Sequence, residues 1–329
     1  MNPRYSVVIP VYDEAESVDE LHAELVRALE ATGESFELLF VDDGSFDDTP
    51  ARLAALAAND HRVQVIRFRR NSGKSAAYSA GFEVAQGDIV ITMDADLQDD
   101  PAELPRLLAR LEGPRDMTKS SGDSDRVPRL PVDLVIGWKQ GRLENEPSKT
   151  LPSRLFNAIV HLMFGLRLHD SNSGFRVMRR PVAASLELYG DLYRFIPELA
   201  YLRGFKVAEV GVAHRRRKHG KSKYGVTRFW TGVLDLLTVR FITGFTQKPL
   251  HFFGTAGLFP LLLGLGIEVY VLIRKLAGDL FREHVAALIV GVLLIVVGIQ
   301  LVATGLIGEM ITAQARRRYP GEGHDRITR

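Results

Sequence analysis

The chain has 329 residues, so its length allows either one large domain with a membrane anchor or two domains of ordinary size. Its 42 basic and 40 acidic residues nearly balance, but the basic residues concentrate after about Arg203, which predicts an anionic partner for the later part of the chain. Because the chain has no cysteine, a disulfide framework and a thiolate nucleophile or metal site are excluded, and a metal would need oxygen or imidazole ligands.

The first part of the chain alternates short β-branched apolar runs with segments of helical length. This pattern predicts an α/β fold around a mostly parallel sheet, with strands at residues 6–11, 37–41, 63–68 and 88–93 and a helix at 72–85. Ligands bind beyond the carboxyl ends of the strands in such sheets. We therefore expect the acidic residues that follow three of the strands to share one edge: Asp13 and Glu14, Asp42 and Asp43, Asp94 and Asp96.

The middle of the chain is less regular. Residues 113–131 are rich in Gly, Pro, Ser, Asp and Arg, which predicts a mobile surface insertion. A second variable stretch at 141–152 precedes a helical pattern at 153–164, and a strand-like segment at 206–213 precedes a basic run at 214–223.

Two long apolar segments, at about 252–273 and 285–307, are each long enough to cross a hydrocarbon core of about 30 Å. They predict a transmembrane hairpin, with two buried core helices as the alternative. Arg240 and Lys248 precede the pair, and residues 316–318 are all arginine, so we expect both ends of the hairpin in the cytoplasm. Basic residues in the connecting loop weaken this asymmetry of charge between the two sides of the membrane. Residues 1–11 also lack a secretory signal, which favours a cytoplasmic first domain. Mixed aromatic and basic residues at 226–245 predict helices in the membrane interface.

The strongest chemical signal is the segment Asp94-Ala95-Asp96 at a predicted strand end. Two carboxylates one residue apart can together bind a hard divalent cation that bridges a diphosphate, although a solvated acidic turn has the same pattern. Its context favours the cation site. Asp42 or Asp43 could accept hydrogen bonds from a nucleobase or a ribose, and Tyr12 could lie against the base or simply pack in the core.

The segment Gly73-Lys74-Ser75 resembles the end of a phosphate-binding Walker A loop. That loop requires an earlier glycine five residues before the Gly-Lys pair, and Phe68 stands at the corresponding position. An ATPase that hydrolyses phosphate through this loop is therefore not expected.

The segments at 8–14, 41–45, 70–78 and 93–101 together resemble the nucleotide-sugar-binding half of the inverting family 2 glycosyltransferases. Later motifs narrow the resemblance to the polyprenyl-phosphate glycosyltransferases, relatives of dolichyl-phosphate mannose synthase. These motifs lie at residues 133–139, 154 and 157, 169–176, 194–197 and 217–224. The resemblance covers nearly the whole chain, including the hairpin, but the stretches 113–131 and 141–152 depart from it.

The resemblance implies a Rossmann-like GT-A domain with interfacial helices and a two-helix hairpin, in a multi-pass protein of a bacterial-type inner membrane. The domains expected are a cytoplasmic glycosyltransferase domain at 1–225, amphipathic helices at 226–250, the hairpin at 251–312 and a basic tail at 313–329. The implied reaction moves a hexose, with inversion, from a UDP- or GDP-linked donor to undecaprenyl or another polyprenyl phosphate. The expected partners are these two substrates and the membrane, with a homo-oligomer left open and no nucleic acid.

The resemblance also implies roles for individual residues. Asp94 and Asp96 are expected to be catalytic and to bind Mg²⁺ or Mn²⁺ together with Gln98. The residues expected to bind the nucleotide-sugar are Pro10, Tyr12, Glu14, Asp42, Asp43, Lys74, Asp94 and Ala95. Those expected to bind the acceptor phosphate are Lys139, Arg154, Ser173, Arg217 and Lys223.

Rival interpretations remain for the basic run and for the whole chain. The run at 214–223 could bind nucleic acid, although the sequence contains no recognisable nucleic-acid module beside it. It could also bind anionic lipid headgroups, or it could clamp the substrate phosphates. A processive polysaccharide synthase of the same superfamily would need a Gln-x-x-Arg-Trp signature, which the sequence lacks. A non-catalytic membrane scaffold would not need the set of Asp94, Asp96 and Gln98.

Overall fold

The computed structural model divides the chain into two compact units, Met1–Leu236 and Leu237–Arg329. It describes residues 2–113, 131–139, 164–166, 168–170, 172–213, 215, 249–278 and 280–318. Several sequence predictions fall mostly or wholly outside these residues: the insertion at 113–131, the stretches at 141–152 and 153–164, the basic run apart from Arg215, and the interfacial helices at 226–245.

The described part of the first unit is built on a seven-stranded sheet with the strand order β3-β2-β1-β4-β6-β5-β7. The strands are β1 (Tyr5–Val11), β2 (Phe36–Asp42), β3 (Val63–Arg67), β4 (Ile89–Thr92), β5 (Leu134–Lys139), β6 (Arg176–Arg179) and β7 (Val207–Val212). All neighbours pair in parallel except β6, which is antiparallel to both β4 and β5. The predicted mostly parallel α/β fold is confirmed.

Six α-helices of the described part of this unit connect and cover the strands. They are α1 (Val18–Glu30), α2 (Thr49–Asn59), α3 (Lys74–Val84), α4 (Leu104–Glu112), α5 (Arg180–Ser185) and α6 (Ile196–Leu202), with 3₁₀ turns at Pro101–Glu103 and Leu192–Phe195. The buried leucines of α1 and α4 recur at helical spacing and join one core cluster with alternate residues of the strands. On α3, Gly81 packs directly against the side chain of Val8 on β1. Because successive side chains of a strand point to opposite faces, α3 covers the face away from that cluster.

The order of the central strands determines where the functional residues lie. Since β2, β1 and β4 are parallel neighbours, their carboxyl ends meet at one edge of the sheet. The loops after β1 and β2 are joined there, because the Asp43 backbone N–H donates to Val11 O at 2.9 Å and the Asp13 N–H donates to Ser45 Oγ at 2.9 Å. The acidic residues that follow these strands therefore share this edge, which we call the carboxyl edge.

The described part of the second unit contains two helices, α7 (Pro249–Leu276) and α8 (Phe281–Arg318), which pack against each other as a hairpin. The 28-residue α7 has a mean hydropathy of 2.1 and the segment Arg282–Ile311 of α8 has one of 3.0, so both are long and apolar enough to cross a membrane. Many apolar side chains are exposed on this unit, as expected of a surface that faces lipid. The two predicted apolar segments, 252–273 and 285–307, lie within these helices.

Glycines bring the two helices into close contact. A Cβ atom added at Gly257 would lie 2.7 Å from Gly298 O, and one added at Gly298 would lie 2.7 Å from Gly257 O. Further along the pair, a Cβ at Gly264 would lie 2.6 Å from Gly291 O, and Gly291 also leaves the space that the Glu268 carboxylate occupies. Small residues at such a crossing allow backbones to approach closely, which is how helices associate in lipid.

We expect the substitution Gly298→Leu to separate the helices and destabilise the hairpin. An overpacked side chain costs about 1–3 kcal/mol, because neither backbone can give way without losing the other contacts of the crossing. The measurement is the thermal unfolding of the detergent-solubilised protein. Gly266→Leu is the matched control, since an added Cβ at Gly266 meets no atom within 4 Å. Equal melting temperatures for the two variants would contradict the packing described here.

Candidate active site

Asp94 lies just beyond β4 and is the centre of the described polar cluster at the carboxyl edge. Its Oδ1 atom accepts hydrogen bonds from Lys74 Nζ at 2.5 Å and from the Tyr78 hydroxyl at 3.4 Å. Both donors are on α3, whose first residue is Lys74. The sheet and the helix that precedes β4 therefore deliver one carboxylate and its partners to the same point.

Gly174 supports Asp94 from the other side. A Cβ atom at this position would lie 2.5 Å from Asp94 Oδ1 and 2.7 Å from its Cγ, so only glycine leaves room for the carboxylate. The Thr92 hydroxyl donates to Gly174 O at 2.8 Å and holds the two segments together. The sequence motif at 169–176 contains Gly174, but sequence reasoning did not assign it a role. The sequence carries no local signal for this role, because Thr92 and Asp94 lie about eighty residues earlier in the chain.

Lys74 is enclosed by aromatic rings as well as by Asp94. Its Nζ atom lies 5.8 Å from the Tyr78 ring centroid and 5.3 Å from that of Tyr193, both within range of a cation–π interaction. Burial alone would lower the pKa of Lys74, but the charge of Asp94 raises it above its ordinary value. Burial likewise opposes ionisation of Asp94, but the charges of Lys74 and Lys139 outweigh it and lower the Asp94 pKa to about 2. The pair is therefore an ammonium and a carboxylate at neutral pH.

A second buried ion pair lies close by. Lys139, at the end of β5, is 2.8 Å from Asp99 Oδ1, and the two side chains are only 10% and 1% exposed. Burial raises the pKa of Asp99, against the opposing effect of Lys139. Burial would lower the pKa of Lys139, but the charges of Asp99 and Asp94 raise it. Asp99 was not predicted as a site residue, although it directly follows the predicted ligand Gln98.

The loop after β4 has an unusual backbone. Leu97 is buried and adopts a left-handed φ of 58°, a conformation that costs a leucine about 1–3 kcal/mol. Buried Ala95 and Leu97 alternate with the more accessible residues Asp94, Asp96 and Gln98, so the three predicted ligands face away from the core. The Gln98 N–H also donates to Asp96 Oδ1 at 3.2 Å. Strain of this kind is concentrated at functional sites.

The oxygen donors of this loop fit a divalent cation that is shared with a substrate. Mg²⁺ and similar ions are commonly bound by one or two carboxylates together with phosphate oxygens and water, and Asp94 and Asp96 supply two carboxylates. Among the residues that the structure describes, no group of three or more Asp, Glu or His side chains could bind a metal alone.

Asp42 and Asp43 are buried, and their carboxylates shape the neighbouring loops. Asp42 Oδ1 accepts from the Ser45 N–H at 2.9 Å, and its Oδ2 lies 3.2 Å from Arg67 Nε. Asp43 accepts from the backbone N–H groups of Ser72 at 2.7 Å and Gly73 at 2.9 Å. Asp43 thus fixes the turn that begins α3 and presents Lys74. Pro10, Tyr12 and Glu14 are partly buried at the end of β1, on the same edge.

The predicted acceptor residues are only partly described. Ser173 is 2% exposed and its Oγ accepts from the Phe175 N–H at 3.4 Å. Arg154, Arg217 and Lys223 lie outside the described residues. Arg176, three residues after Ser173, was not predicted as a site residue. Its fully buried guanidinium donates to Tyr193 O at 3.3 Å, and its charge also lowers the Asp94 pKa.

Aromatic and charged groups continue along the same edge beyond Lys139. The rings of Trp138 and His169 stack with centroids 4.2 Å apart. The backbone N–H groups of His169 and Asp170 both donate to the Glu209 carboxylate on β7, at 2.8 Å and 3.1 Å. These contacts position the segment that leads to Ser173 and Gly174. The sequence offered no local signal for them, because β7 follows some forty residues later.

Comparisons with known proteins agree with this geometry. The sequence model described as "Glycosyl transferase family 2" matches residues 6–186. Dodecaprenyl-phosphate galacturonate synthase of Rhizobium johnstonii is 32% identical over 93% of this chain and 87% of its own length. Undecaprenyl-phosphate 4-deoxy-4-formamido-L-arabinose transferase of Pseudomonas paraeruginosa is 34% identical over 93% of this chain and 84% of its own length.

One solved structure shows the fold. Glucosyl-3-phosphoglycerate synthase of Mycobacterium tuberculosis, in complex with Mn²⁺ and uridine-diphosphate-glucose, aligns with a TM-score of 0.53 at 19% identity, over 72% of this chain and 79% of that one. The predicted GT-A fold is confirmed by this likeness together with the sheet order described above.

We expect the substitution Gly174→Ala to displace Asp94. The added methyl group would overlap the carboxylate, so that either the ion pair with Lys74 or the turn at residue 174 must move. Binding of Mn²⁺ with a nucleoside diphosphate, measured by calorimetry, should weaken by about 10-fold or more. Gly266→Ala provides the matched control, because its added methyl group meets no atom within 4 Å. Unchanged affinity in Gly174→Ala would show that the Asp94 position is not critical.

We expect Asp99→Asn to destabilise the first unit. The substitution leaves the Lys139 ammonium buried without its carboxylate partner, and breaking a buried pair in this way costs about 3–5 kcal/mol. Thermal unfolding is the measurement. Asp19→Asn, which removes one partner of an exposed pair with Arg52, should change stability by less than about 1 kcal/mol. If both variants melt at the wild-type temperature, the Asp99–Lys139 pair contributes no net stability.

Proposed function

We propose that this chain, which belongs to glycosyl transferase family 2, transfers one sugar from a nucleotide-sugar donor to a polyprenyl phosphate in the membrane. The chain is a glycosyltransferase by its family and fold. Both relatives named above are sugar transferases whose names contain a polyprenyl phosphate, and each aligns with 93% of the chain. The two apolar helices are consistent with an acceptor that is itself a lipid.

One observation carries the proposal: two lysine ammonium groups and three carboxylates meet at the carboxyl edge of the sheet. Lys74 contacts Asp94 and Lys139 contacts Asp99, while Asp96 lies in the same loop. Both substrates carry phosphate groups, so their binding requires positive charge beside the oxygen ligands of a cation. A scaffold that only bound lipid headgroups would have no need of a strained acidic loop.

The chemistry of the acceptor explains why no dedicated base is needed. A phosphate monoester has a second pKa of about 6, so it is largely a dianion at neutral pH, whereas a sugar hydroxyl would need a base. One of its oxygens attacks the anomeric carbon of the donor sugar from the side opposite to the nucleoside diphosphate. As the new carbon–oxygen bond forms, the bond to the diphosphate breaks, the diphosphate keeps the electron pair, and the anomeric configuration inverts.

The residues of the carboxyl edge would bind and orient these groups. Lys139, held by Asp99, would orient the acceptor phosphate, and Lys74 would bind the donor diphosphate beside Asp94. A divalent cation on Asp94, Asp96 and Gln98, Mg²⁺ or Mn²⁺, would supply positive charge that stabilises the departing diphosphate. Holding both substrates in line removes much of the entropic cost of their encounter.

The proposal includes a location. The sugar would be transferred at the cytoplasmic face of a bacterial inner membrane, with α7 and α8 spanning the bilayer and both chain ends in the cytoplasm. This orientation follows from the basic residues that flank the hairpin in the sequence. The domain bounds predicted from the sequence, 1–225, 226–250, 251–312 and 313–329, belong to the same proposal.

The test is a transfer assay with purified protein in detergent. A panel of labelled UDP- and GDP-linked sugars is incubated with undecaprenyl phosphate, with Mg²⁺, with Mn²⁺ or with a chelator, and the extracted lipid is analysed. We expect one donor to label the lipid and the chelator to abolish labelling. Asp96→Ala should reduce the rate of sugar transfer by at least about 1,000-fold, because the charge of the departing diphosphate is no longer stabilised.

Asp88→Ala is the matched control for this assay. Asp88 is exposed at the opposite end of β4, where it pairs with Arg4, and its loss should leave transfer unchanged. Full activity of Asp96→Ala would overturn the assigned cation role. Failure of every donor to label the lipid, in protein that remains folded, would overturn the proposed reaction.

A further inference from the structure

Arg215 connects the end of β7 to the loop that carries the predicted cation ligands. Its backbone N–H donates to Gln98 O at 3.0 Å. Gln98 and Arg215 are far apart in sequence, and β7 is at the opposite end of the strand order from the β1–β2 pair. Arg215 is thereby fastened to the carboxyl edge.

The side chain of Arg215 makes a second set of contacts around the same loop. Its Nη1 atom lies 2.9 Å and 2.7 Å from the two carboxylate oxygens of Glu24 on α1. Its Nη2 atom lies 2.8 Å from Asp100 Oδ1, and that oxygen also accepts from the Ala102 N–H at 2.9 Å. One guanidinium thus joins α1 to the end of the loop, immediately after Gln98 and Asp99.

These contacts differ from an ordinary surface ion pair. An exposed pair contributes little to stability, because solvent screens it and both side chains lose freedom. The Arg215 side chain is 32% exposed, but Glu24 and Asp100 are only 18% and 21% exposed, and the guanidinium engages both at once. Networks that use the planar fork of arginine are stronger and more directional than single pairs.

The loop needs such a restraint. Leu97 holds a left-handed conformation that is unfavourable for its side chain, and a strained residue persists only where its surroundings fix it. The Leu97 side chain is buried on one side of the loop, and Arg215 fixes the residues that follow it. Without the second attachment, the turn at Leu97 could relax and carry Gln98 away from Asp94 and Asp96.

We propose that Arg215 is a positioning residue for the cation-binding loop. The Arg215 backbone holds Gln98 in place, and the Arg215 guanidinium fixes Asp100. The inference rests on the proposed function, because it assigns Gln98 to a cation shared with the donor diphosphate. Arg215 acts through the loop and is not assigned a contact with the substrates or the cation. It is separate from Arg217 and Lys223, the basic residues expected at the acceptor phosphate.

The first experiment measures binding rather than turnover. Calorimetry determines the affinity for Mn²⁺ together with uridine diphosphate or guanosine diphosphate in wild type, Arg215→Ala and Arg215→Lys. We expect Arg215→Ala to weaken Mn²⁺ binding by about 10-fold or more, as is usual when a residue that orients a metal ligand is lost. Arg215→Lys should lie between the two, because lysine keeps the charge and loses the fork.

Arg106→Ala is the matched control. Arg106 lies on α4, just after the same loop, where it forms a 2.6 Å pair with Glu103 and is 60% exposed. Asp100→Asn is a second test variant that removes one end of the Arg215 network with little change of shape. We expect it to weaken Mn²⁺ binding in the same direction as Arg215→Ala, with melting temperatures of all variants measured in parallel.

Hydrogen exchange of the ligand-free protein gives an independent measurement. The amides of residues 97–100 should exchange faster in Arg215→Ala than in wild type and in Arg106→Ala. Wild-type Mn²⁺ affinity in Arg215→Ala, or an equal loss in Arg106→Ala, would overturn the positioning role. If wild type itself binds no Mn²⁺ with either nucleotide, the proposed function fails instead, and the exchange data alone then show whether Arg215 restrains the loop.

Discussion

The carboxylate of Asp94 is held between the ammonium group of Lys74 and the backbone of Gly174, and the carboxyl edge is arranged around this contact. Burial in a region of low dielectric would favour the neutral acid, so the carboxylate remains ionised because cations surround it. An ionised carboxylate is the form that binds a metal. The tight fit at Gly174 and the turn fixed by Asp43 both serve to keep this charge in one position.

The sequence was informative wherever a local pattern had a single structural interpretation. β1 and β2 are buried along nearly their whole length, and their apolar runs predicted them to within one residue at either end. The acidic residues after these strands could be placed on one edge because parallel strands must end together. The hairpin was equally clear, since few structures other than membrane helices contain two apolar segments of this length.

The sequence was silent where the structure depends on pairing between distant segments. β6 has only four residues, begins and ends with arginine, and pairs in the opposite direction to its neighbours, so no periodicity indicated it. Gly174 and Tyr78 acquire their roles only when β6 and α3 bring them to Asp94, and Asp99 acquires its role only when β5 brings Lys139 to it. Arg176 is fully buried, against the usual preference of arginine for the surface, and the acceptor of its hydrogen bond, Tyr193 O, lies 17 residues later in the chain.

The order of strands in the sheet also bears on how the protein is made. β6 is inserted between β4 and β5, although the ribosome delivers its residues more than eighty positions after β4. Until then, one side of β4 presents unpaired backbone groups, a template for association with other chains. A nascent chain therefore passes through a long interval in which β4 exists without the strand that pairs with its second edge, and during that interval this edge is open to association with other chains.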